Sequence, residues 1–148
     1  MTKDIIPFNL VKIETIEFAT LSDNFKELKR EEHPVKIGLN ISFGTKSSKD
    51  NSLACSITII FKQKDIPFLK IQTACLFIIQ SDFWDNSLID RTLHIPKKIA
   101  DHMAVLSLGV TRGVLHAKTE GSEFNKFIIP QINISKYFNE DVSISFKK

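Results

Sequence analysis

The chain has 148 residues, 43% hydrophobic and 25% charged, with 20 basic against 17 acidic side chains and a formal net charge of +3. That length fits a single domain spanning residues 1–148, since roughly 150 residues is the usual size, and so apolar a composition excludes a disordered chain. The charges are interspersed, with no basic stripe or aromatic-basic motif, so nucleic acid is not an expected partner.

The opening MTKDIIPFNLVKIE has only a short apolar run before charges resume, unlike a signal peptide, and no segment reaches the ~18 apolar residues of a membrane span. A cytoplasmic protein with no membrane insertion is expected. Cys55 and Cys75 lie in apolar, strand-like segments without ligand spacing around them. They read as buried free thiols in a reducing compartment, the alternative being a disulfide or redox pair.

In chain order, FNLVKIETIEFATL comes first. Val11 and Ile13 alternate in one phase and Ile16 and Phe18 in the other, a slip near Thr15 that a bulge or bend in an edge strand would produce. SDNFKELKREEHP follows from Ser22 and reads as a crossover loop or a turn or two of surface helix, with Phe25 and Leu28 as its only large apolar residues. VKIGLNISFG, SLACSITIIFK and FLKIQTACLFII then alternate as three half-buried strands. Their inward sets are Val35 to Phe43, Leu53 to Phe61, and Leu69, Ile71, Cys75, Phe77 and Ile79. The short turns TKSSKDNS and KQKDIP join them as antiparallel neighbours.

SDFWDNSLIDRTLH mixes aromatic and acidic residues and reads as a solvated loop around Trp84. Pro96 is a plausible first residue of a long helix, which carries two stripes. Ile99, Met103, Leu106 and Val110 make the large one; Ala100, Ala104, Ser107 and Thr111 make the small one. Small side chains let backbones approach closely, so the second stripe is expected to meet the same helix of another subunit in a homo-oligomer. The alternative is that it fits the chain's own curved sheet. After Asn133, ISKYFNEDVSISFKK reads as a short turn and a strand bearing Val142, Ile144 and Phe146.

Catalytic constellations are not readable. The cysteines sit mid-strand, there is no Gly-x-Ser-x-Gly turn, and the five glycines form no phosphate loop. His94 and His102 lack the i, i+4 relation of a helical zinc pair, and Asp82, Asp85 and Asp90 lack the spacing of a calcium loop. No enzyme, cofactor or metal is expected. Arg112 is either an anion clamp or, more in keeping with its place on a helix, a fork for backbone carbonyls or a neighbouring carboxylate.

MAVLSLGVTRGVLHAKTEGSEFNKFIIPQIN resembles the region that follows the sheet in SecB-type export chaperones and their relatives. There an apolar helix runs into an Arg-Gly step, here Arg112-Gly113, and a loop leads to a Pro-x-x-Asn element, here Pro130 to Asn133. The preceding strand order, with a long first crossover, agrees. The resemblance implies an α+β fold: a four-stranded antiparallel meander sheet with a long first crossover, then one long helix and a short C-terminal segment. It also implies assembly as a homodimer or homotetramer and an ATP-independent holdase that binds unfolded polypeptides in apolar grooves for export. Such a chaperone hands its clients to a translocase motor, while some relatives guard a toxin-antitoxin partner.

On that resemblance Phe25, Leu28, Phe124, Phe127 and Ile128 are expected to line the peptide groove, with Arg112, Gly113, Pro130 and Asn133 structural. Gly113 would allow a bend or close packing where the helix ends. The chain departs from the family in its positive charge, in stopping at VSISFKK, and in leaving little room for a second long helix. A hot-dog thioesterase shares the sheet-plus-helix inventory, but usually places its helix early, whereas here it follows four strands.

Overall fold

The computed structural model describes residues 6–25 and 33–146. Leu28 and most of the crossover segment lie outside the described residues. Four long strands, β1 (Phe8–Thr20), β2 (Val35–Gly44), β3 (Ser52–Gln63) and β4 (Ile66–Ile79), form one antiparallel sheet in the order β1-β4-β3-β2. The chain therefore leaves β1 at one edge, crosses to β2 at the other, and returns by hairpins to pair β4 with β1. The fold class is α+β, with the strands that the alternation predicts and the long first crossover that the resemblance implies.

Sequence and geometry agree closely in the sheet. Along β3, Leu53, Cys55, Ile57, Ile59 and Phe61 are all buried, and they face inward with their register partners Phe77, Cys75, Ile71 and Leu69 on β4. Lys64 and Asp65 both adopt positive φ, the conformation a two-residue hairpin turn demands. The slip in β1 is real: its register against β4 shifts between Thr15 and Glu17, and again between Leu10 and Lys12. Each shift inserts a residue that turns the strand.

The segment around Trp84 is not a solvated loop. Ser81–Ser87 forms a short helix, α1, and Trp84 is 2% exposed, its indole Nε1 donating to the Ser48 carbonyl at 2.7 Å. A buried indole needs such a partner, and the bond ties the β2–β3 loop to the end of the sheet. Beyond it, β5 (Leu88–Ile89) and β6 (Thr92–Ile95) turn through Asp90 and Arg91, both at positive φ. The C-terminal β7 (Val142–Ser145) adds to β6, so the last alternation builds a second, three-stranded sheet.

The long helix α2 covers Lys97–Thr119, with Pro96 at its N-cap. No side chain of its own start caps it; the carboxylate of Asp141, just before β7, accepts from the Lys97 amide at 2.7 Å. A carboxylate there also meets the positive end of the helix dipole. The helix lies across β3 and β4, and this placement corrects the expected oligomer interface. Ala100, Ala104, Ser107 and Thr111 have no exposed surface: they face the chain's own sheet, whose strands supply the bulk. Small residues let α2 sit close to a layer of Ile, Leu and Phe. The buried hydroxyls are all bonded, Ser107 to the Met103 carbonyl, Thr111 to that of Ser107, and Thr111 to Thr73 of β4 at 2.7 Å between the two Oγ1 atoms.

Candidate binding groove along the long helix

Past α2, Gly121 takes φ +78°, and Glu123–Lys126 makes a 3-10 turn. Residues 127–133 then run extended beside the helix. Their side chains alternate: Phe127 and Ile129 are buried, while Ile128 is 63% exposed. Two clefts open between this segment and α2. One, of about 360 Å³, is lined by Gly109, Arg112, Gly113, His116, Phe127 and Ile128. The other, of about 260 Å³, is lined by Val105, Leu108, Arg112, Gln131, Ile132 and Ile134. Arg112 is common to both and sits where they meet.

Arg112 holds the far wall in place. Its Nε donates to the Ile129 carbonyl at 2.8 Å and its Nη2 to the Pro130 carbonyl at 2.9 Å. The planar fork of a guanidinium suits adjacent carbonyls of an extended segment. Gly113 does not end or bend the helix, which continues to Thr119. Nothing lies within 4 Å of a Cβ added at Gly109 or Gly113, so the pair, one turn apart on the outer face, forms an open floor. Asn133 starts the next turn, its carbonyl accepting from the Lys136 amide at 3.1 Å and its side-chain oxygen from the Ser135 hydroxyl at 2.7 Å.

The expected groove residues divide. Ile128 reaches the cleft exposed, whereas Phe124 and Phe127 are 3% and 5% exposed and belong to the subunit's own interior. With Phe25, Phe61 and Phe68 they make an aromatic cluster; Phe25 lies 4.9 Å from Phe68, 5.3 Å from Phe127 and 5.7 Å from Phe124 between ring centroids. Phe25, half-buried, closes this cluster, and the Lys126 ammonium sits over its ring at 5.2 Å. Local sequence offered these rings no visible partner, since Phe61 and Phe68 are far away in the chain. Residue reading also missed Val105, Leu108, Gly109, His116 and Gln131 as groove residues. The i, i+4 spacing of Gly109 and Gly113 was the available signal.

A second apolar surface runs along β1. Leu10 and Ile13 pair with the inward residues Phe77 and Cys75 of β4, so they point to the helix side of the sheet, yet Ile13 is 49% exposed. The helix does not reach them. Val11, Ile16 and, on the neighbouring flank of α2, Leu106 are exposed as well, and among the described residues no strand lies beside the outer backbone edge of β1. The opposite edge is different: there the Tyr137 hydroxyl accepts from the Ile41 amide at 3.2 Å. A third concavity, of about 550 Å³, lies on the outer face of the sheet between Thr45, Lys46 and Asp50 and the side chains of Ala54, Leu76 and Ile78.

Burial pushes the Cys55 thiol up to about 12 and raises that of Cys75, both against a weaker opposing hydrogen bond from Ser107, so neither is a ready nucleophile. Among the described residues no group of three or more His, Cys, Asp and Glu could hold a metal ion, and no helix is long and apolar enough to cross a membrane.

Among solved structures the fold has a counterpart. The chain is similar to the Mycobacterium tuberculosis Rv1957 SecB-like chaperone, solved in complex with a ChAD peptide from the Rv1956 HigA1 antitoxin, with a TM-score of 0.53 over 86% of this chain and 91% of that one. The likeness is one of fold. Sequence identity is 8%, which carries no residue-by-residue correspondence. No protein-family model matches the sequence, and comparison with curated proteins finds no match.

Proposed function

We propose that this chain is a non-enzymatic, polypeptide-binding protein of the SecB-like kind, an ATP-independent holdase for unfolded or partly folded segments. The observation that carries the reading is the groove beside α2: two clefts lined by apolar side chains around a few polar ones, walled by a segment that the half-buried Arg112 fork pins in place. A preformed trough with an apolar floor suits extended chain, because side chains enter pockets while the backbone follows the wall. The fold likeness supports a chaperone or partner-binding role. Activity in the cytoplasm, with delivery of clients to an export motor, is the fuller form of the reading.

The test is dilution of a urea-unfolded client protein into buffer containing this chain and no nucleotide, followed by turbidity. Suppression of aggregation near stoichiometric ratio is expected, and it should weaken severalfold with Ile128→Ser. Full aggregation of several unrelated clients would defeat the holdase. A second reading has one specific support: the structural counterpart is bound to an antitoxin peptide. In that reading the groove serves a single dedicated partner, and saturable binding of one sequence, with no protection of general clients, would identify it.

Self-association belongs to the same proposal, moved from the small stripe to β1. An unpaired 13-residue edge with exposed Leu10, Val11, Ile13 and Ile16 is a template for strand pairing. A second copy laid antiparallel along it would cover these side chains and the Leu106 flank, giving a homodimer or, by further packing, a tetramer. The double variant Ile13→Lys/Ile16→Lys should sediment as a monomer with unchanged circular dichroism; an unaltered oligomer would remove β1 from the interface.

A further inference from the structure

We infer that the groove selects segments in which an acidic side chain is bracketed by bulky apolar ones, with the carboxylate bound by Arg112. The inference rests on the polypeptide-binding reading and names the chemistry that the site takes. A guanidinium has five N–H donors, and the carbonyls of Ile129 and Pro130 occupy two of those on Arg112, one on Nε and one on Nη2. The Nη1 donors and the second Nη2 donor have no partner among the described residues. Nor does any described carboxylate come within 4 Å of this cation; the lysine–carboxylate pairs found are Lys12–Glu14, Lys70–Glu17 and Lys97–Asp101, and Glu120 lies 3.6 Å from the His116 ring. Among the described residues Arg112 is thus a half-buried cation without a counter-ion, held rigid by two bonds and lining both clefts at their junction.

Charge and shape then point the same way. A fixed guanidinium with spare donors is preorganised for a carboxylate, and little side-chain freedom is lost on forming the pair. On either side the walls are apolar: Ile128 and Phe127 over the glycine floor, and Val105, Leu108, Ile132 and Ile134 beyond. Such a surface receives one bulky side chain in each cleft with the anion between them. His116 lies at the rim, its Nε2 3.6 Å from the Glu120 carboxylate and its Nδ1 3.4 Å from the Asn125 side-chain nitrogen. The client is an internal stretch of unfolded polypeptide.

The experiment uses the full chain and three fluorescein-labelled twelve-residue peptides read by anisotropy. The first carries Leu-Ala-Glu-Ala-Phe at its centre with both ends capped, so that in an extended chain its three large side chains share one face; the second carries Leu-Ala-Gln-Ala-Phe likewise capped, and the third is the Gln peptide with a free C-terminal carboxylate. The capped Glu peptide is expected to bind about tenfold more tightly than the capped Gln peptide, a ratio that falls with added salt. Arg112→Gln should bring the ratio near one. Gly113→Leu, which fills the first cleft and leaves the arginine fork in place, should weaken both capped peptides alike. Equal affinity for the two capped peptides would overturn the inference and leave polypeptide binding standing, and so would a preference confined to the free chain end. A ratio that persists in Arg112→Gln would also overturn it, and binding of none of the three would overturn both readings.

Discussion

Ala104 has no exposed surface and lies on the face of α2 that packs on β3 and β4, whose inward positions are filled by Ile, Leu, Phe, Cys and Thr73. Replacing it with Leu forces three further carbons into a packed layer. Ala104→Leu should cost about 1–3 kcal/mol, seen as a lower urea midpoint, while solution mass stays unchanged; a loss of oligomer without loss of stability would return the small stripe to an interface. The thiols below Ser107 make a second residue-scale prediction. Cys55 ionises near 9 when unfolded and near 12 when folded, so the unfolded state gives up its proton first as pH rises. Stability from this group is complete below about pH 9 and declines above it. Cys55→Ala should flatten that alkaline decline in melting temperature, at the cost of a smaller buried side chain; an identical pH profile would show that other groups cause it.

Among the elements, α2 depends on a residue far from it in sequence. Asp141 caps the Lys97 amide, and Asp141→Ala should destabilise the fold by ~1 kcal/mol, measurable by denaturant melting; Asp141→Asn, which keeps an acceptor, should recover most of the loss. This contact also shows where sequence reading stops. Strand alternation in β2, β3 and β4 and the slip in β1 were legible because they depend on neighbours two to four residues apart. The cap, the Trp84 bond to Ser48 and the contacts of Phe25 with Phe68, Phe124 and Phe127 join residues 36 or more apart, and local pattern holds no signal for them. The two stripes of α2 were equally visible, but which one meets the sheet depends on what the sheet presents. Its inward side chains are large, so the small stripe takes the sheet and Leu106 is left outside. At the groove, the expectation for Ile128 came from the resemblance rather than from its local pattern, and the carbonyl partners of Arg112 required the path of residues 127–133.

For the whole molecule, the two apolar surfaces flank α2 on different sides. The β1 edge and Leu106 lie toward one side of the sheet, while the groove lies toward the segment pinned by Arg112. On the proposed reading, self-association along β1 and client capture in the groove would use different surfaces, leaving the grooves of the copies open. A long client could pass from one groove to another, which raises its affinity through effective concentration without new contacts. The most direct test of that account is light scattering coupled to gel filtration, on the purified chain mixed with a permanently unfolded polypeptide in the absence of nucleotide. The account predicts a stable complex holding one unfolded chain per oligomer, with the oligomer itself unchanged. An intact oligomer that elutes free of the unfolded polypeptide would contradict it.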